Sequence, residues 1–306
     1  MRWLDPLLGR GEARVGPRRA GGAVLEARDL RFAYGGRPAL DGASLRVAPG
    51  EIVGLIGPNG SGKSTIIKIL SGVLAGYQGT VLLDGRDPRA LDRREVARTL
   101  AVVPQEASFS LPFTVLEIVL LGRHPHLGSL AFEAADDVTL ARQALDRCGA
   151  LHLAERSIHE LSSGERQRVV FARALAQEPR ALLLDEPASF LDIRHQIELY
   201  ELVRSLAEND AASVLLVVHD LNLAAEYCDR VYLLRRGQVD TSGPTAEVFT
   251  YANLSRVFET DLYVDQNSIT GKLMVVPLSG RAKAALAGRA GPASPHGPSS
   301  AARSNE

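Results

Sequence analysis

Cysteine and lysine are scarce in this chain of 306 residues, and long apolar or basic runs are missing altogether. The two cysteines, Cys148 and Cys228, lie far apart and form no C-x-x-C pair, so neither a zinc site nor a disulfide framework is indicated and a reducing compartment fits. No stretch of 18 apolar residues occurs, which excludes a membrane-spanning helix within the sequence. The N-terminus carries arginines but no apolar segment long enough for a signal peptide. A formal charge of -1, with scattered basic residues, argues against nucleic acid as the main ligand. What is present is a 45% hydrophobic composition, enough to bury one large core or two modest ones.

Only four of the 35 basic residues are lysines, so a lysine inside a glycine loop is less readily an accident. Lys63 is such a residue. Gly57, Pro58, Asn59, Gly60, Ser61, Gly62, Lys63, Ser64 and Thr65 complete the phosphate-loop pattern G-x-x-x-x-G-K-[ST]. The apolar run Ile52, Val53, Leu55, Ile56 reads as a buried strand feeding the loop, and Thr65 to Leu70 reads as a helix leaving it. Glycines let successive N–H groups turn toward one point, and the helix N-terminus adds partial positive charge there. A triphosphate fits that nest, with Lys63 against the outer phosphates and the Ser64 hydroxyl as a magnesium ligand.

Around this loop the chain reads as α/β. Residues 1 to about 22 are rich in Gly, Pro, Ala and Arg and are expected to be a loose, disordered extension. Val24 to Phe32 and Leu45 to Val47 predict an antiparallel sheet, ending at Tyr34-Gly35-Gly36 and at the Pro49-Gly50 turn respectively. Tyr34 offers a flat face on which an adenine ring could stack, worth about 0.5–1.5 kcal/mol, although ordinary sheet packing accounts for it equally well. Thr80 to Leu83, then Asp92 to Arg98, then Leu100 to Val103 read as strand, helix and strand. Gln105 follows at the strand edge where open α/β sheets bind ligands, in reach of magnesium or an attacking water.

A helical insertion is expected over about 106–177, with helices at Val115 to Leu121 and Ala134 to Cys148, broken by Pro125 and Gly128. His124 and His126 lack a third metal ligand, and their segment reads as an exposed contact. Ser162, Ser163, Gly164 and Glu165 open a helix running to about Ala176, whose free N–H groups favour an anion; a serine cap with Glu165 closing a capping box satisfies the same residues. Ala181 to Leu184 is an apolar strand ending in Asp185 and Glu186, a costly pair unless a cation is present. Magnesium held by Asp185 through water, and Glu186 polarising the water that attacks the γ-phosphate, would use both. Val214 to Val218 ends at His219, placed to bond the γ-phosphate. Asp192 closes the turn before the helix at Ile193 to Leu206. Val231 to Leu234 and Gln238 to Thr241 predict a hairpin. The domain is expected to end near residue 278, with 279–306 a disordered tail.

Taken together, Val24 to Val264 resembles the ATP-binding subunit of an ABC transporter. The phosphate loop, Gln105, Leu161 to Gln167, Asp185-Glu186, Asp192 and His219 stand in that family's order. The resemblance implies a P-loop NTPase fold of ABC type, with a mixed, largely parallel core sheet, an N-terminal antiparallel β subdomain and an inserted α-helical subdomain. Ser163 departs from the family's usual Gly and Glu165 from its usual Gln, whereas Ser162 and Gly164 are kept. The stretches Thr114 to His126, Leu191 to Leu199 and His219 to Asp229 are similar to ATPases of iron-siderophore, heme or vitamin B12 importers. By that likeness the chain hydrolyses MgATP as a homodimer, each ATP lying between one copy's phosphate loop and the other's Ser162 to Glu165. Its partners would be integral-membrane permease subunits and, indirectly, a periplasmic or extracellular substrate-binding protein, with the chain peripheral on the cytoplasmic face of the inner membrane. The competing expectations are a soluble ABC-type clamp in DNA repair or translation, or the ATPase of another transporter class.

Overall fold

Ile52–Ile56, Ala181–Asp185 and Ser213–Val217 are apolar at nearly every position, as befits strands covered on both faces. The computed structural model describes residues 21–127 and 135–280, so the expected terminal extensions lie outside the described residues except at their inner ends. In chain order, β1 (Leu25–Tyr34) and β2 (Arg37–Val47) lead to β3 (Ile52–Ile56) and α1 (Lys63–Leu70). Then come β4 (Gln78–Leu83), α2 (Arg93–Thr99), β5 (Leu100–Val103), α3 (Val115–Leu120), α4 (Ala135–Arg147) and α5 (Ser163–Ala176). The second half holds β6 (Ala181–Asp185), α6 (Ile193–Asp210), β7 (Ser213–Val217), α7 (Leu221–Tyr227), β8 (Arg230–Arg235) and β9 (Gln238–Pro244). It closes with α8 (Thr245–Val248), α9 (Tyr251–Phe258) and the hairpin β10 (Leu262–Gln266) and β11 (Leu273–Pro277).

The central sheet runs β5-β6-β7-β3-β8-β9, parallel except for the antiparallel β9 edge. Side chains alternate between its faces. Ile52, Ile56, Leu182, Leu184, Val214 and Leu216 join a core packed under the helices. Val53, Leu55, Leu183, Leu215 and Val217 join a second core shared with α1 and the smaller sheet β2-β1-β4. Alternation with a period of two thus splits one sheet between two cores. The small sheet is antiparallel, and its third strand, β4, comes after the glycine loop, whereas the sequence reading placed that sheet wholly before it.

Register sets the site. Val103 pairs with Leu184, Asp185 with Val217, and Leu55 with Val217, so the C-terminal ends of β5, β6, β7 and β3 finish level with one another. The residues just beyond them, Gln105, Glu186, His219 and Gly57, share one edge.

The segment after α3 corrects the sequence reading. Instead of breaking at Pro125, it tightens into a 3-10 turn over Leu121–His126 that contains the proline. Gly128, the second expected break, lies outside the described residues. Instead of an exposed contact, Arg123 is 5% exposed and Pro125 is buried; of the two histidines only His124 is exposed. Arg123 donates to Asp137 at 2.9 Å, to Glu178 at 2.7 Å and to the carbonyl of Ala176 at 2.7 Å. A guanidinium that meets two carboxylates and a carbonyl in three directions can be buried without loss of its hydrogen bonds. His126 bonds the Gln177 carbonyl through Nε2 at 2.9 Å, which commits that nitrogen to the fold. Among the described residues no helix is long and apolar enough to cross a membrane.

Candidate nucleotide site

The loop between β3 and α1 is held from behind. A Cβ on Gly57 would fall 2.2 Å from the Leu234 carbonyl, and one on Gly62 would meet Ala39 O at 2.7 Å and Leu40 at 2.6 Å. Gly62 has φ 106°, a conformation that further favours glycine. Gly237, in the β8–β9 turn, donates its N–H to the Ser61 carbonyl at 3.1 Å. That buttress escaped the sequence reading. The only signal was the Arg236-Gly237 turn itself, where Gly237 takes φ 80°.

Lys63 is 6% exposed, and its Nζ donates to the carbonyls of Gly57 at 2.8 Å and Pro58 at 3.1 Å. The ammonium therefore lies folded over its own loop. Burial lowers its pKa, while the charges of Glu186 and Asp185 raise it in part. Ser64 is exposed, and Ser61 is buried with its hydroxyl unpaired among the described residues. Asn59 and Gly60 form the exposed tip of the loop, and Thr65 is buried beneath it.

Asp185 and Glu186 end β6 as expected. Burial is the main cause of an Asp185 pKa raised above the ordinary value, with repulsion from Glu186 next, while Ser64, Lys68 and Lys63 pull it back. Its Oδ1 is buried with no hydrogen-bond partner among the described residues. An orphaned carboxylate oxygen beside an exposed Ser64 hydroxyl is a donor set that suits a hard divalent cation such as magnesium.

Glu186 is the hub of the site. Gln105 donates from Nε2 to its Oε2 at 2.7 Å, and His219 Nε2 stands 2.5 Å from its Oε1. The sequence expectation placed Gln105 against metal or water and His219 against phosphate. Here both meet on one carboxylate, because all three leave level strand ends. Glu186 also takes φ 49°, a left-handed backbone for a residue with a side chain. Such strain of about 1–3 kcal/mol persists only where surrounding bonds impose it.

Of the remaining predicted residues, Ser163 lines one cavity with Gln105. Ser162 and Ser163 are exposed at the start of α5. Ser162 Oγ accepts from Glu165 N at 3.3 Å, and Glu165 Oε2 accepts from Ser162 N at 2.9 Å, which completes the capping box. The Ser162 N–H and hydroxyl, both donating to Glu165 Oε2, hold that carboxyl below its usual range. Gly164 packs against Leu191, whose Cδ2 would lie 3.3 Å from an added Cβ. Asp192 caps α6, accepting from His195 N at 3.0 Å, which lowers its pKa. Tyr34 is 46% exposed, and its ring meets Phe32 edge-on at 4.8 Å.

Comparison with known proteins places these features in a family. The family profile described as ABC transporter matches residues 40–189. A hemin import ATP-binding protein of Bordetella bronchiseptica is 42% identical over 266 residues, covering 83% of this chain and 99% of the relative. A cobalamin import ATP-binding protein of Halobacterium salinarum is 40% identical, covering 86% of this chain; the alignment spans only 65% of that longer protein. Among solved structures, a metal-chelate type ABC transporter in an inward-facing conformation matches with a TM-score of 0.74 at 29% identity, covering 85% of this chain and 99% of that one. A bacterial ABC transporter cassette solved as a dimer matches with a TM-score of 0.65 at 28% identity, over 72% of this chain and 98% of that one.

Proposed function

Because the chain belongs to the ABC transporter family, we propose that it is the ATP-hydrolysing subunit of an importer for a metal chelate, of the heme, cobalamin or iron-siderophore kind. The observation that carries the hydrolytic part is the meeting of Gln105 and His219 on Glu186 at the sheet edge that also bears the phosphate loop. The cargo class rests on the likeness to hemin and cobalamin import proteins.

In this reading the loop N–H groups from Gly57 to Thr65 receive the phosphates of ATP, and Lys63 leaves its loop carbonyls to meet them. Ser64 and Asp185 would hold magnesium, which when bound offsets phosphate charge as the γ-phosphoryl is transferred. Glu186 takes a proton from the water that attacks the γ-phosphorus as the bond to the β-phosphate oxygen breaks, leaving ADP and phosphate. Gln105 and His219 hold that carboxylate in place. The exposed start of α5, Ser162 to Glu165, would serve the phosphates of a second copy, its free N–H groups supplying charge that one loop cannot. Tyr34 is the proposed adenine platform, and Asp192 would lie along the contact between copies. The dimer would sit on the cytoplasmic face of the membrane, against permease subunits served by a substrate-binding protein.

The Glu186→Gln variant tests this directly. MgATP turnover should fall at least about a hundredfold with ATP affinity kept, measured by phosphate release and calorimetry. Turnover at the wild-type rate would remove Glu186 as the base.

A further inference from the structure

The left-handed backbone of Glu186 is followed by a turn, residues 186–192, in which Ala188 and Leu191 are buried in the core while Ser189 and Phe190 are exposed. A cavity of about 180 Å³ opens there, lined by Glu186, Ser189, Gln196, Tyr200, His219 and Leu223 among others. That void leaves contacts unmade beside Glu186 and Ser189, so the packing of Ala188 and Leu191 does not by itself fix the Glu186 end of the turn. Hydrogen bonds add to that packing. Glu186 N–H donates to Val217 O at 3.2 Å, and Ser189 donates to Glu186 O from its N–H at 3.2 Å and its hydroxyl at 3.0 Å. These bonds are local to the first half of the turn.

The second half has one backbone bond of its own, Leu191 N–H to Ala188 O at 3.1 Å, and is tied to α6 by one side chain. Gln196, one turn into α6, donates from Nε2 both to Ala188 O at 3.2 Å and to Leu191 O at 3.0 Å. Its own N–H continues the helix by bonding Asp192 O at 2.8 Å. One amide thus joins two carbonyls three residues apart and pins them to a long helix.

We propose that Gln196 is a positioning residue for Glu186: by bridging the Ala188 and Leu191 carbonyls it holds the 186–192 turn over the cavity and sets where the Glu186 carboxylate stands. The inference rests on the reading of Glu186 as the base for ATP hydrolysis. Gln196 touches neither Gln105 nor the phosphate loop, so its loss should leave nucleotide binding alone and strike turnover. A side chain that merely satisfied two carbonyls would act on stability and leave the balance of kcat and KM unchanged.

Gln196→Met keeps the length of the side chain and removes the donors; Gln196→Glu keeps the shape and replaces them with acceptors. In the full-length protein, both should lower kcat about tenfold or more, with KM for MgATP and ATP affinity within about twofold of wild type. Glu186→Gln is measured in parallel. Loss of turnover in Glu186→Gln together with unchanged kcat in both Gln196 variants would overturn this inference and spare the assignment of the base. Retained turnover in Glu186→Gln would overturn both. If kcat, ATP affinity and melting temperature all fell together in both Gln196 variants, Gln196 would be a structural tie only, and the inference would fail.

Discussion

Asp185 and Glu186 put two carboxyl groups on consecutive residues at the end of a buried strand, and the first of them carries the cost. The Asp185 pKa is raised by burial and by Glu186 above the ordinary value of 3.8. An acid whose pKa rises on folding binds more protons folded than unfolded across the interval between the two values. Its ionisation therefore costs no stability below pH 3.8, costs more as pH rises through that interval, and costs the full amount above it. Asp185→Asn should melt higher than wild type at pH 7 without nucleotide or magnesium, and the gap should close as pH approaches about 4. Thermal melts followed by circular dichroism check this; an equal or lower melting temperature at pH 7 would contradict it. The two carboxylates were legible in the sequence because burying an apolar run that ends in Asp-Glu is costly without a cation to meet them. Their partners were not. That Gln105 and His219 both bond Glu186 depends on level strand registers, which no single segment of sequence reports.

At the level of elements, caps and periodicity carried most of the information. Ser162 with Glu165 forms the capping box that three-residue spacing predicts, Thr114 with Glu117 forms another that escaped the sequence reading, and the β8–β9 hairpin turns at Arg236-Gly237. The turn at Leu121–His126 was misread because its chemistry is long-range: Arg123 finds Asp137 on α4 and Glu178 past the end of α5. His126 and Arg98 add bonds to the Gln177 and Pro125 carbonyls, and Gln177 reaches Leu100 O at 2.8 Å. This network joins the helical insertion to α2 and β5. Removing its cation strands carboxylates that are 13% and 27% exposed. Arg123→Ala should therefore cost about 3–5 kcal/mol of unfolding free energy by denaturant titration. A loss under about 1 kcal/mol, the scale of surface ion pairs, would show that the network is dispensable.

At the scale of the whole molecule, Asn59, Gly60 and Ser64 of the phosphate loop and Ser162 and Ser163 at the capped start of α5 are exposed, and Glu186 stands near enough to the loop for its charge to act on Lys63. In the proposed dimer each chain would carry half of two sites. ATP binding would favour a closed pair of copies, since a ligand held by two surfaces stabilises their association in proportion to its affinity for the closed state. Hydrolysis would release the pair and give the permease its stroke. The most direct measurement is the solution mass of Glu186→Gln by light scattering, with MgATP and with MgADP. The mass should double from 32.8 kDa with ATP and stay there with ADP. A protein that binds ATP tightly and stays at its monomer mass would contradict the shared-site account.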